Sequence, residues 1–294
     1  MDSDDLRVFE AVARHGAMNR AAQEMHMVQS NVTARIRTLE ADLGATLFHR
    51  HSRGVALTAA GERLLPFAER SVRLLKEARA AVTGDGAPAG PLVVGTLETT
   101  AAIRLSRPIG AFLRHHPEVD LVLRTGTTAD MIDAVLTRQV DGALVCGPVA
   151  HPDLRTTPMF AERLVLVTRP GLYAGLDLAG LADQPVVVLR AGCSYRLRLE
   201  EILARRGLAP VRRLEFGTIE ALVGCVAAGL GVTLLPEALL EAAVREGRVA
   251  VHVLPAAEAL VETLFVRRAD QAVTPTLAAF LDCIALPELV RAAE

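Results

Sequence analysis

Asn19 to Leu43, reading NRAAQEMHMVQSNVTARIRTLEADL, is the stretch that most restricts how this chain can fold. Val32, Ile36, Leu39 and Leu43 recur at spacings of four, three and four, which makes one buried stripe on a helix. At about 100° per residue, Ser30, Ala34, Arg37 and Ala41 fall on the opposite face. Most of these are small, so that face can approach another surface closely. Before it, Asn19 to Met25 reads as a second short helix that turns Ala21, Ala22 and Met25 inward and is capped by Asn19. Only His26, Met27 and at most Val28 separate the two. Two helices joined this tightly form a helix-turn-helix, whose second helix enters the major groove of DNA. The alternative is an ordinary helical hairpin.

The flanking residues extend the unit. Leu6, Phe9, Val12 and Ala13 form the inner face of a first helix that Gly16 ends. After Gly44, Leu47 and Phe48 can pack beneath the helices. His49, Arg50, His51 and Arg53 then cluster before Gly54, and Val55 to Thr58 alternates like a strand. The pattern fits a β-wing with a basic tip suited to phosphates or the minor groove, against the alternative of a solvated basic loop. From Thr58 to about Val82 a single helix carries Leu64, Leu65, Ala68, Val72, Leu75 and Val82 on one stripe, with Pro66 bending or tightening its first turns. Its length of about 36 Å exceeds what a small domain covers, so a helix from a second subunit is expected on the stripe. The alternative is packing on its own domain.

Thr83 to Pro91, TGDGAPAGP, has three Gly, two Pro and no apolar periodicity, and so reads as a linker. Beyond it strands and amphipathic helices alternate. The strands are expected at 92–95, 119–123, 142–146, 164–168, 186–189, 214–216, 232–235 and 264–266. The helices are expected at 101–115, 129–138, 195–206, 219–228 and 276–284. Such alternation implies mostly parallel sheets covered by helices, with ligands at the carboxyl ends of strands beside helix N-termini.

Composition excludes several classes. The 294 residues are 51% hydrophobic and 22% charged, with a formal net charge of −2. That describes a globular chain without the positive field of an unspecific polyanion binder. Lys76 is the only lysine. The N-terminus shows no signal peptide and no apolar stretch is long enough to span a membrane, so a cytoplasmic protein is expected. Cys146, Cys193, Cys225 and Cys283 lie far apart with no metal-ligand spacing, which fits reduced thiols and no metal site. No nucleophile–base pattern, P-loop or zinc-protease motif is present, so no catalytic residues and no cofactor are expected.

Three motifs, FEAVARHGAMNRAAQEMHMVQSNVTARIRTLEADLGATLFHR, RGVALTAAGERLLPFA and ALVGCVAAGLGVTLLPEALL, make the chain resemble the LysR-type transcriptional regulators over its whole length. The resemblance implies a multi-domain α/β protein. Residues 1–58 would be a winged helix-turn-helix DNA-binding domain and 59–91 a dimerisation helix and hinge. Residues 92–294 would be a two-lobed effector domain like a type 2 periplasmic binding protein. Its lobe I would take about 92–162 and 268–294 and lobe II about 163–267, with crossover strands at Leu164–Thr168 and Leu264–Val266. The implied partners are double-stranded operator DNA, a small anionic effector, RNA polymerase and further copies of the chain in a homodimer or homotetramer.

The candidate DNA contacts are Asn19, Arg20, Gln29, Ser30, Asn31, Thr33, Arg37, Arg50 and Arg53. Gln29 can pair bidentately with adenine, while Arg37, Arg50 and Arg53 suit phosphates. The family usually has Ser or Thr where Val28 stands, and often Arg where Ala34 stands. The reader helix therefore needs another cap, and Arg35 on its flank is left to a phosphate or a core-edge role. The candidate effector contacts are Thr99, Thr100, Thr128, Cys146, Gly192, Cys193, Ser194, Tyr195 and Thr218. Thr99 or Thr100 and Ser194 are read as helix caps with hydroxyls facing a ligand. Thr127 and Asp130 have capping-box spacing, and such a cap can also stand without any ligand. Peroxide-sensing relatives leave a second reading open, a thiol-based redox regulator using Cys193 with Cys146 across the cleft.

Overall fold

A computed structural model describes residues 1–51, 54–83, 87–172, 184–208 and 212–285; within 59–83 the side chains of 73, 76, 77 and 79–83 are outside the description. Arg53, expected at the wing tip, lies outside the described residues, as does the side chain of Val82. The chain divides into two compact units, Met1–Gly86 and Ala87–Glu294.

In the first unit α1 (Ser3–His15) is opened by a capping box between Asp2 and Asp5 and closed by Gly16 in the left-handed region. Next come α2 (Met18–Glu24) and α3 (Gln29–Leu43). Between α2 and α3, His26 adopts φ 52°. Its amide donates to the Gln23 carbonyl and that of Met27 to the Ala22 carbonyl, a Schellman turn that sets the angle of the motif. Val32, Ile36 and Leu39 are fully buried with Phe9, Val12 and Ala21. Leu43 is 39% exposed, because the stripe runs off the core in the last turn. Asn19 is not a cap: Ala17 occupies that position without a side-chain bond, and Asn19 sits inside α2 with its oxygen accepting from the Arg20 amide.

The wing is a hairpin of β1 (Phe48–His51) and β2 (Gly54–Leu57), with Arg50 opposite Val55. It is tied back by the Val55 amide to the Gly16 carbonyl at 2.9 Å. The Glu40 carboxylate, one turn from the end of α3, accepts from the amides of Leu47 at 2.8 Å and Phe48 at 3.3 Å. Helix α4 (Ala59–Thr83) continues through Pro66 and is capped by the Thr58 hydroxyl, which accepts from the Gly61 amide. Ala68, Leu64 and Leu65 pack on the core, while Phe67, Leu74 and Leu75 are 64%, 55% and 40% exposed.

Acid sensitivity of this unit follows from Glu24, where the Arg14 guanidinium, helped by His15, lowers the carboxyl from 4.5 to about 2. A depressed carboxyl stabilises the fold fully above its unfolded value, and the contribution fades as pH falls from 4.5 towards about 2. The group is partly exposed, so the effect is small. Urea denaturation of the full chain across that window should show Glu24→Gln flattening the pH dependence of the first unit; an unchanged slope contradicts the assignment.

In the second unit β3 (Gly90–Thr96) leads into α5 (Glu98–Thr100), a π-turn (Ala101–Leu105) and α6 (Ser106–His115). There follow β4 (Val119–Thr125), α7 (Thr128–Leu136), β5 (Gly142–Cys146) and the long β6 (Leu154–Thr168). Then come β7 (Val186–Leu189), α8 (Ser194–Arg205), β8 (Arg213–Phe216), α9 (Ile219–Ala227) and β9 (Thr233–Pro236). The last elements are α10 (Glu241–Arg245), β10 (Ala250–Val253), α11 (Ala256–Ala259), β11 (Leu260–Arg268) and α12 (Pro275–Ile284). Strand β10 and helices α10 and α11 were not foreseen, being four or five residues each with little periodicity to read.

Only part of the sheet is parallel. Strand β3 pairs in parallel with β4 and β5, whereas β11 runs antiparallel to both β5 and β6. Strand β6 divides its partners, with Leu154–Arg163 on β11 and Leu164–Thr168 on β9 and β10. It is therefore the crossover: Leu164–Thr168 is its portion already inside lobe II. Leu264–Val266 pairs with β5 inside lobe I, whereas Val261, earlier on the same strand, packs in the lobe II core with Leu164 and Leu199, so β11 is the second crossover. Each lobe buries apolar side chains on both faces. Phe112, Leu144 and Phe280 lie on one side of lobe I and Val135, Val145 and Val266 on the other. In lobe II, Leu166 and Leu199 face one way and Val167 and Val226 the other.

Candidate functional site

Two surfaces carry the chemistry. On the first unit Gln29, Ser30, Asn31 and Arg37 of α3 are exposed, as are Asn19, Arg20 and Arg50, and Thr33 is half-buried. No side chain caps α3: Val28 holds the N-cap position and is 61% exposed. The first amides of the reader helix are thus left for an outside acceptor. Arg35 is committed elsewhere, 2.9 Å from Asp5 and within 4 Å of Asp2 and Asp4, which decides for the core edge over a phosphate.

The second surface is a cleft of about 320 Å³ between the lobes. Lobe I contributes Leu97 to Thr99 and Thr125 to Thr128; lobe II contributes Leu189, Arg190, Cys193 to Tyr195, Gly217 and Thr218. The N-termini of α7, α8 and α9 open onto it. Helix α7 carries the full Thr127–Asp130 capping box, and Thr218 caps α9 through the Ala221 amide. Ser194 does not cap α8; Cys193 holds that position without a side-chain bond. The Ser194 hydroxyl instead donates across the cleft to Thr128 Oγ1 at 2.8 Å. Likewise Leu97, not Thr99 or Thr100, precedes α5, and Thr99 Oγ1 meets the Tyr195 hydroxyl at 3.3 Å. Arg190 pairs with Asp130 at 3.2 Å, and the Ala129 amide reaches the Gly192 carbonyl at 3.5 Å. The lobes therefore meet through paired polar groups, each contact joining one lobe to the other.

Of the nine expected effector contacts, Thr99, Thr128, Cys193, Ser194, Tyr195 and Thr218 line the cleft. Gly192 acts through its backbone, with φ +89°. Thr100 and Cys146 are buried away from the walls. Glu98, Thr125 and Arg190 line it too, although they are not among the nine. Glu98 and Arg190 directly flank the threonine and glycine-serine stretches, and that adjacency was the available signal.

Behind the Thr99–Tyr195 contact lies a buried polar group. The register of β5, β6 and β11 puts Cys146, Phe160, Glu162 and Thr263 on one sheet face. Arg104, from the π-turn, stands 3.5 Å from Glu162 and over the Phe160 ring. Burial pushes the Glu162 carboxyl up, partly offset by Arg104. Among the described residues its second oxygen has no partner, nor do the hydroxyls of Thr100 and Thr263. Burial raises the Cys146 thiol to about 12 and lifts that of Cys193 as well. A reactive thiol needs the opposite shift, so the geometry disfavours the redox reading. Among the described residues no group of three or more His, Cys, Asp or Glu could hold a metal ion, and no helix is long and apolar enough to cross a membrane.

A winged helix-turn-helix unit followed along the chain by a two-lobed unit with a cleft is the plan of a DNA-binding transcriptional regulator. Residues 3–62 match the bacterial regulatory helix-turn-helix protein, lysR family, and residues 85–286 match the LysR substrate binding domain. The chain belongs to the LysR family of transcriptional regulators. It is 42% identical over 276 residues to the HTH-type transcriptional regulator GltR of Bacillus subtilis (strain 168), covering 94% of this chain and 93% of that protein. It is 36% identical to CzcR of Bacillus anthracis, covering 97% of each. Among solved structures, full-length CbnR complexed with its target DNA matches with a TM-score of 0.62 at 26% identity, covering 100% of both chains. A full-length OxyR variant from Pseudomonas aeruginosa shares the fold, with a TM-score of 0.68 at 23% identity, covering 99% of this chain and 97% of that one.

Proposed function

We propose that this regulator senses a small anionic metabolite held between its lobes, and that the bound state alters how paired reader helices sit on operator DNA. Residues 1–58 read DNA, 59–91 pair and hinge, and the remainder senses. The observation that carries the reading is the Ser194–Thr128 contact at 2.8 Å, made in a cavity where the N-termini of α7 and α8 meet. Helix N-termini flanked by hydroxyls favour a carboxylate or similar anion. A ligand inserted there replaces the lobe-to-lobe contacts with its own, and so interacts differently with the open and closed forms, as any effector must. The exposed Phe67, Leu74 and Leu75 of α4 support pairing with a second copy, in a dimer or tetramer. Contact with RNA polymerase and action in the cytoplasm go with regulation of a promoter.

On the DNA side, the unfilled first turn of α3 would take a phosphate, Gln29 a base edge and Arg50 a second phosphate. Fluorescence anisotropy on operator and random duplexes tests this. Arg50→Ala should weaken both about equally and reduce the salt slope by about one per subunit. Gln29→Ala should lower the preference for the operator by about tenfold, as expected for one base contact. A salt slope unchanged by Arg50→Ala removes that residue from the interface. On the effector side, calorimetry with a panel of carboxylates should show Thr128→Val and Ser194→Ala each weakening binding, and intact binding in both variants rejects the site.

A further inference from the structure

The walls of the cleft carry two side chains with full charges, Glu98 and Arg190. They are not equivalent. Arg190 already has a partner in Asp130. Glu98 is exposed to the cleft, and among the described residues no hydrogen bond or ion pair engages its carboxylate. The other two ionisable wall groups, Cys193 and Tyr195, are held neutral by burial. The cleft thus has an anion-binding side, formed by the starts of α7 and α8 with Thr128 and Ser194, and a separate free negative charge. Position in the first turn of a helix explains why an acid is tolerated at Glu98. It does not explain why that acid is left unpaired on a wall where Thr99, Thr128, Arg190 and Ser194 are paired across the cleft. A ligand with only negative charge would meet repulsion from Glu98, and a purely cationic one would oppose the helix N-termini.

We infer that the effector is an amino carboxylate, whose carboxylate lies between the N-termini of α7 and α8 at Thr128 and Ser194 and whose ammonium is held by Glu98. This rests on the reading of the cleft as the effector site and narrows it from an anion to a zwitterion. A volume of about 320 Å³ suits a molecule of amino-acid size.

The test uses matched pairs of probes on the full chain: L-glutamate with glutarate, L-leucine with 4-methylpentanoate, and 4-aminobutyrate with butyrate. Isothermal titration should find at least one amino member binding tenfold or more tighter than its deaminated partner, the size expected for one charge-assisted contact. Glu98→Gln should bring the two to within about threefold, while Glu98→Asp retains part of the preference. The inference fails if the deaminated acids bind as well as the amino members. It fails equally if Glu98→Gln keeps the preference or if no amino member binds. A plain acid that binds the wild type as tightly as its amino partner and is weakened by Thr128→Val overturns the ammonium site and leaves the anion cleft standing. Binding that neither Thr128→Val nor Ser194→Ala changes overturns the cleft itself.

Discussion

Gly192→Ala should open the lobes. At φ +89° a side chain is strained. A Cβ there would stand 2.7 Å from Thr127 Oγ1 and 3.1 Å from the Ala129 Cβ, on the facing lobe. The backbone strain alone costs about 1–2 kcal/mol. Contact with a capping threonine that cannot leave α7 adds to it, and that contact is relieved if the lobes part, while the backbone strain stays with the loop. A relief of about 1.4 kcal/mol changes the closed-to-open ratio by roughly tenfold. Hydrogen exchange should therefore show faster exchange at the Ala129 amide, which reaches the Gly192 carbonyl, and at the start of α8. Ligand affinity should fall as well, since the proposed site takes groups from both lobes. Unchanged protection at Ala129 would mean that lobe closure does not run through this contact. The overall melting temperature should fall modestly, by the backbone strain that the folded loop retains.

Glu40→Ala should have the largest effect on the DNA-binding unit for a change outside its apolar core. The Glu40 carboxylate accepts from two successive amides, Leu47 and Phe48, that belong to buried residues. Its loss leaves two donors without that acceptor just where the chain turns from α3 into the wing. At about 1–2 kcal/mol for each, the unit loses roughly 2–4 kcal/mol. Glu40→Gln keeps an acceptor oxygen and should cost less than half as much. Denaturant titration of the full chain should show an early transition for Glu40→Ala, and DNA affinity should drop even though Glu40 touches no DNA. A variant with wild-type stability and affinity would show that the wing holds its place through the Val55–Gly16 and Phe9–Phe48 contacts alone.

The parts that the sequence disclosed are those where one physical signal acts over a short distance. The stripe of Val32, Ile36 and Leu39 repeats with helical period because a helix buried on one side must repeat that way. The Thr127–Asp130 box is legible because its two hydrogen bonds close within four residues. The wing followed from apolar residues flanking a basic run. Errors came where several groups compete for one role. Asn19 has the chemistry of a cap, yet the helix begins earlier, at Met18. Ser194 has it too, but its hydroxyl is spent across the cleft on Thr128, a partner 66 residues away. Cys146 and Thr100 were expected in the cleft on the strength of their neighbours and were turned into the interior by the strand and helix that carry them.

By itself the sequence determined the helix-turn-helix, the wing, the long α4 and the alternation of strands and helices beyond the linker, because these rest on periodicity and local hydrogen bonding. It also determined the family, through motifs that record the same local constraints. Tertiary structure alone decided how β6 and β11 divide their partners between the lobes, and that Arg35 is tied to Asp5 and not to a phosphate. It also decided which hydroxyls meet across the cleft and that Glu98 is left there without a partner among the described residues. These are pairings between residues tens of positions apart. No local rule fixes them, because each depends on which surfaces the packed sheets bring into contact.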